Sequence, residues 1–270
     1  MRLGIMNDAD QQQANAKQGR LIRFLLMTLP IGTVLLGIAS FGIWMWKKDR
    51  VEERAFQYAS ALRQPISLAT IQRHLAVLGS LQGEGVARLN AISSYAESST
   101  GPENMGYQSR RIFVDGSKDA VSAVDVELTG KQKPRDVVLV LVMPGGQILA
   151  PVAENNAIAG LLTLAHEITG EPSIRTVRMA IVPMPGVLPG WQDAADMLKR
   201  LGREAEQRRE RFTHVITLGP EPSAVDLEAI FQSAQRGTVI KHQSVPVDPA
   251  ALVPMLKTLK QELLQLGNTL

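Results

Sequence analysis

The fold class this sequence predicts is a mixed, mostly parallel α/β sheet flanked by helices, preceded by one transmembrane helix. Three observations carry it. Residues 24–46 form a largely apolar run without charge, bounded by Arg23 and by Lys47-Lys48. Val137–Met143 is unbroken apolar sequence rich in Val and Leu, the signature of a strand covered on both faces. Beyond it, helical and strand patterns alternate to the C-terminus, as they do where helices pack on a mostly parallel sheet.

At ~1.5 Å rise per residue, a helix over 24–46 spans the ~30 Å hydrocarbon core of a bilayer. A signal peptide has a shorter apolar core and a small-x-small cleavage site. This run instead ends in Ile43-Trp44-Met45-Trp46, anchors suited to the headgroup level. Pro30, Gly32, Gly37 and Gly42 are tolerated inside a span, and the glycines do not repeat as a GxxxG face. Arg2, Lys17, Arg20 and Arg23 precede the span; Lys47, Lys48, Arg50 and Arg54 follow it, so the positive-inside rule ties. The polar N-terminal stretch carrying Gln11-Gln12-Gln13 reads as disordered. The expected organisation is a cytoplasmic or disordered tail at 1–22 and a transmembrane helix at 23–47. A juxtamembrane helical linker at 48–66 and an extracytoplasmic α/β domain at 67–270 follow.

With no cysteine there is no disulfide framework, thiol nucleophile or thiolate metal site. A net charge of +3 and 4% aromatic residues leave neither a strong basic patch nor a stacking platform, so nucleic acid is not an expected partner.

Val51–Ser80 reads as helical, with an apolar face of Leu62, Ile66, Leu68, Ile71, Leu75 and Leu78 broken at Pro65. Val86–Glu97 carries the stripe of an amphipathic helix. Gln108–Asp115 and Ala120–Leu128 alternate as half-buried strands, joined at Gly116-Ser117 into a hairpin. Gly130–Arg135 is a polar turn before the central strand Val137–Met143. Helices follow at Ala157–Ile168, Trp191–Arg211 and Ala224–Gln235, alternating with strands at Thr176–Val182, His214–Leu218 and Thr238–Lys241. The charges of Arg203–Arg211 read as a solvated face with i,i+4 pairs. His74 and His166, each inside a helix, read as surface or capping residues, and His214 as a hydrogen-bonded structural histidine. Asp248 opens a last helix with Pro249 in its first turn.

Glu103-Asn104-Met105-Gly106-Tyr107 leads into the hairpin, whose second strand ends Val126-Glu127-Leu128-Thr129-Gly130. Pro134-Arg135-Asp136-Val137-Val138, a helix ending Leu164-Ala165, and Arg175-Thr176-Val177-Arg178 come next. In this order the chain resembles metallopeptidase family 28, the di-zinc aminopeptidases related to glutaminyl cyclases, over roughly Leu68–Leu266. The resemblance implies a zinc-aminopeptidase-like sheet whose strand ends hold two zinc ions through His and carboxylates, with a further Glu as general base. The matching positions here are degenerate. Met143-Pro144-Gly145 stands for the family's His-x-Asp, and Ala153, Glu154 and Asn155 stand near the bridging carboxylate. Pro185-Gly186 replaces the Glu-Glu pair, Leu218-Gly219 the next carboxylate, and only His242 lies near the last His ligand.

No G-x-S-x-G elbow and no phosphate loop offers another chemistry. If the family's cleft persists, its strand-end loops present Met143, Pro144, Ile148, Leu149, Met184, Val187 and Leu188 as an apolar binding surface; equally, those loops collapse together and fill it. The expectation is therefore a membrane-anchored relative without catalytic residues, metal or cofactor, binding another membrane or envelope protein in an envelope complex. The alternative is an active membrane-bound zinc aminopeptidase with displaced ligands Glu154, Glu221 and His242. A third reading keeps the pocket for a free peptide that is bound and not cleaved.

Overall fold

The computed structural model describes residues 33–47, 60–107, 109–113, 122–145, 152–183, 193–219 and 237–269, with a few single positions between. The chain divides into two compact units, Met1–Phe56 and Gln57–Leu270. In the first, residues 33–47 are helical and exposed along their whole length. Among the described residues no helix is long and apolar enough to cross a membrane; residues 23–32 of the expected span lie outside them.

The second unit is built on a six-stranded sheet in the order β1-β2-β4-β3-β5-β6. Its strands are β1 (Ser109–Phe113), β2 (Ser122–Leu128), β3 (Lys133–Val142), β4 (Arg175–Ile181), β5 (Arg211–Leu218) and β6 (Val239–Gln243). β3 to β6 run parallel, whereas β1 and β2 form an antiparallel hairpin that joins the sheet through β2 and β4. The mixed, mostly parallel sheet expected from the sequence is thus present. β3 begins within the expected polar turn, because Lys133 and Asp136 already pair with Arg175 of β4 and Arg211 of β5.

The described helices with full bounds in this unit are α1 (Leu68–Ser80), α2 (Val86–Thr100), α3 (Val152–Ile168), α4 (Asp193–Gln207) and α5 (Pro249–Asn268). Ser67 starts α1 by accepting a hydrogen bond from the Thr70 amide, so Pro65 and the residues around it lie outside the helix and not within a longer one. Instead they dock on α3: the Ile66 amide donates to Glu167, and Arg63 donates to the Thr169 carbonyl and pairs with Glu171 at 2.8 Å. Asp248 caps α5 through the Ala250 amide, with Pro249 where its missing N–H costs nothing.

Alternation along the strands gives each sheet face its own core. Val138, Val140 and Val142 of β3 join Val177, Met179 and Ile181 of β4 under α1, α2, α3 and α5. Val137, Leu139 and Leu141 point the other way, to Leu198, Leu201 and Ala205 of α4 and to Phe212 and Phe231. α4 stops at Gln207, short of the expected Arg211, in a Schellman turn. There the Glu210 amide donates to Ala205 O and the Arg209 amide to Glu206 O, with Arg209 at φ 57°.

That turn corrects the solvated reading for Glu210, which is buried, whereas Arg203, Glu206, Arg208, Arg209 and Arg211 are exposed as expected. Arg178, fully buried on the α4 face of β4, donates from Nη1 to Glu210 at 2.8 Å and from Nε and Nη2 to both oxygens of buried Asp125. Arg110 bonds Asp125 at 2.6 Å, and Arg208 bonds Glu210 at 2.7 Å and Glu127 at 2.9 Å. The guanidinium of Arg178 also lies 5.8 Å over the Phe212 ring. Burial raises the Glu210 carboxyl above its ordinary range despite Arg178 and Arg208. For Glu127 burial pushes the same way, but the bond and charge of Arg208 prevail and lower it.

Candidate functional site

Open α/β sheets place ligands at the C-terminal ends of their parallel strands. At that edge β3 runs out into Met143, Pro144 and Gly145, all buried. α3 begins nearby with Glu154 in its first turn, five residues earlier in effect than the periodicity suggested, since Val152 already opens the helix. Glu154, 5% exposed, accepts the Gly145 amide at 2.9 Å. The carboxylate thus anchors the strand exit and faces the positive end of its own helix.

The same turn is fixed from two further sides. Asn156 donates to the carbonyls of Pro246 and Val247 at 2.8 and 2.9 Å. Asn155 accepts from Arg88, a buried arginine of α2 whose other bonds go to the Leu81 and Leu78 carbonyls closing α1. At the neighbouring strand, Leu218 is buried and Gly219 adopts φ +124°, its amide donating to Gln243 O. A Cβ on Gly219 would meet Ala157 of α3 at 3.6 Å, an ordinary contact, so the positive φ and not crowding favours glycine here. His242 is exposed on β6, its Nδ1 2.9 Å from Thr217 Oγ1. Thr217 is 2% exposed and, among the described residues, no carboxylate orients His242, so the pair lacks the access and the third member of a nucleophilic dyad.

The structure therefore brings Met143, Gly145, Glu154, Leu218 and His242 to one edge of the sheet, with Ala153 and Asn155 half-buried beside Glu154. Pro185, Gly186, Ile148, Leu149, Met184, Val187, Leu188 and Glu221 lie outside the described residues. Of the seven residues expected either to line an apolar surface or to collapse into the cleft, the structure describes Met143 and Pro144, and both are buried. Met143 is 6% exposed and packs in the α4-side core, because the strand's alternation carries its side chain inward.

Zinc of the kind the resemblance implies needs four close N or O donors, or three and a water. Met143 offers a thioether, Pro144, Gly145, Leu218 and Gly219 offer no side-chain donor, and one oxygen of Glu154 already holds the Gly145 amide. Among the described residues no group of three or more His, Cys, Asp or Glu converges. The described donors do not fit a zinc centre.

No family model and no curated protein matches the chain. Solved structures with a similar course include a glutaminyl cyclase from Fimbriiglobus ruber, 13% identical with a TM-score of 0.45, over 58% of this chain and 62% of that one. LapB of Legionella pneumophila is 12% identical with a TM-score of 0.44, over 74% and 61% of the two chains. A putative Zn-dependent exopeptidase from Bacteroides vulgatus is 11% identical with a TM-score of 0.42, over 72% and 85%. The matched region spans 62% of the first and 61% of the second of these proteins. Similarity at this level does not transfer an activity.

Two features escaped the sequence reading. One is the ion network, signalled by Arg178 inside the apolar strand Arg175–Ile181 and Asp125 inside Ser122–Leu128. The other is a histidine pair: His74 and His166 are 4% and 7% exposed and belong to the interior, not to the surface or to helix caps. Apolar neighbours three and four positions away, Ile71 and Leu78 around His74 and Leu162 around His166, were the available signal.

Proposed function

We propose that the chain is a membrane-anchored, non-catalytic aminopeptidase-like module that binds another envelope protein. One observation carries this reading: the edge where such a fold would hold metal is closed by Met143-Pro144-Gly145 and Leu218-Gly219, with Glu154 serving as a structural hook. A buried carboxylate whose oxygen accepts a backbone amide is an anchor first, and replacing ligands by proline and glycine removes Lewis-acid chemistry at its source.

Support for the anchor comes from residues 33–47. A helix that is apolar on all sides is buried in protein or in lipid. Here Leu35, Leu36, Ile38, Phe41 and Ile43 are 57–68% exposed, while Arg50 stacks 4.2 Å over the Trp46 ring, a pairing suited to the headgroup layer. Support for binding comes from the sheet edge itself, where Val152 and Val247 are 55% and 65% exposed around the Asn156 clamp.

The test is in vivo photo-crosslinking of the full-length chain with a photoreactive residue at Val152 or Val247, followed by alkaline washing of the membranes. The expected outcome is a membrane-retained chain with one discrete adduct from either position and none from exposed Lys257 on α5. Release by the wash, or indistinguishable adducts at all three positions, would contradict the proposal.

A further inference from the structure

The corner where α1, α2 and α3 meet holds titratable groups that no part of the proposed function uses. His74 of α1 and His166 of α3 stack with ring centroids 5.8 Å apart at 28°. Tyr95 of α2 lies edge-on to His74, its hydroxyl 2.7 Å from Nδ1. At that distance the phenol donates to Nδ1 when His74 carries its hydrogen on Nε2. Among the described residues, His74 Nε2 has no partner. His166 bonds the Asn104 backbone, and among the described residues its Nδ1 has no partner. Each ring therefore buries one nitrogen that is unpartnered among the described residues.

The surroundings oppose charge on either ring. Burial first, then the other histidine and Arg73 of α1, hold His74 at a pKa of about 4. Burial and Arg73 hold His166 at about 4 against the Asn104 bond. From α2 the facing titratable group is Tyr95, raised above its ordinary value chiefly by burial and so uncharged. Glu167, next to His166 on α3, is engaged with the Ile66 amide and with Lys260 of α5 at 2.6 Å. Among the described residues no carboxylate offsets a proton here, and two stacked imidazoliums would repel each other.

We propose that His74 and His166 form an acid-sensitive latch that keeps the α1–α2–α3 corner closed when neutral and releases it when the pair takes up protons. An opened corner solvates both rings and restores an ordinary histidine pKa of 6.5. The contribution is thus complete above pH 6.5 and is lost as the pH falls towards 4. At about pH 5 the difference favours opening roughly 30-fold per histidine, and on the order of 10³-fold for the pair.

The test uses the full-length chain in detergent micelles. Amide hydrogen exchange, corrected for intrinsic rates, is compared between about pH 7.5 and 5, and isotope-labelled histidines are titrated by NMR. The expected outcome is a 10²–10³-fold gain in exchange confined to α1 and α2, with the β3 and β4 amides still protected, and no titration of the two histidines near pH 6.5. In His74→Gln/His166→Gln the acid-specific gain should vanish. Histidines that titrate near 6.5 in the folded chain, or α1 and α2 amides that track the sheet at both pH values, would overturn the latch. The wild-type readouts decide the matter even if the double variant does not fold.

Discussion

Replacing Arg178 with methionine should destabilise the folded chain by about 3–5 kcal/mol, the cost of breaking a buried ion pair from one side. The guanidinium is fully buried and makes three charge-assisted bonds, two to Asp125 and one of 2.8 Å to Glu210. At roughly 1.5–3 kcal/mol each, such bonds set an upper limit of about 5–9 kcal/mol. The carboxylates are not wholly orphaned, since Asp125 keeps Arg110 at 2.6 Å and Glu210 keeps Arg208 at 2.7 Å. Those arginines come from partly exposed positions and recover some of the loss, which returns the estimate to about 3–5 kcal/mol. Against a typical domain stability of about 5–15 kcal/mol this is severe. Denaturant unfolding of the full-length chain in micelles, followed by circular dichroism, measures it. The companion variant Arg178→Met/Asp125→Leu/Glu210→Leu removes the stranded charges and should recover at least half of the loss. A single-variant cost below about 1 kcal/mol, or a triple variant no more stable than the single, would refute the reasoning.

The remaining predictions concern the backbone and the sheet edge. Gly130→Ala would place a Cβ 2.3 Å from Arg175 C and 2.5 Å from Ile174 O, both backbone atoms, so a loss of about 3 kcal/mol or more is expected by thermal unfolding. Arg209→Gly should instead stabilise by about 0.5–1 kcal/mol, because Arg209 holds the left-handed C-cap position at φ 57°; a lowered midpoint would argue against that assignment. Glu154→Ala strands the buried Gly145 amide and should cost about 1–3 kcal/mol, with faster hydrogen exchange at Gly145 as the local readout.

Period and patterning carried much of the fold. The apolar run of β3 announced a strand covered on both faces, and the two hairpin strands, the parallel strands and the Asp248-Pro249 helix start lie close to where period and capping residues put them, while the expected turn at Gly116-Ser117 lies outside the described residues. Boundaries slipped where tertiary contacts outvote local pattern. α1 begins at Leu68 because Ser67 caps it, and the preceding residues are drawn onto Glu167 and Thr169 of the α3 end. α4 ends at Gln207 because Glu210 is pulled inward by Arg178 from a strand distant in sequence. At the sheet edge, the absence of nitrogen or oxygen donors from the side chains of Met143-Pro144-Gly145 was legible, but the inward turn of Met143 and the use of Glu154 as an anchor were not. Both depend on which groups meet across the fold, and helical period cannot distinguish a buried His74 from a capping one.

The central claim is that the described strand ends hold no donor set for zinc, and metal content tests it most directly. The full-length chain, purified in detergent, loaded with excess zinc and then desalted, is analysed by inductively coupled plasma mass spectrometry alongside hydrolysis of aminoacyl-anilides. The account predicts zinc well below one equivalent and no chelator-sensitive turnover. One or two tightly held equivalents that Glu154→Ala or His242→Ala abolishes, with turnover that chelation removes, would contradict it.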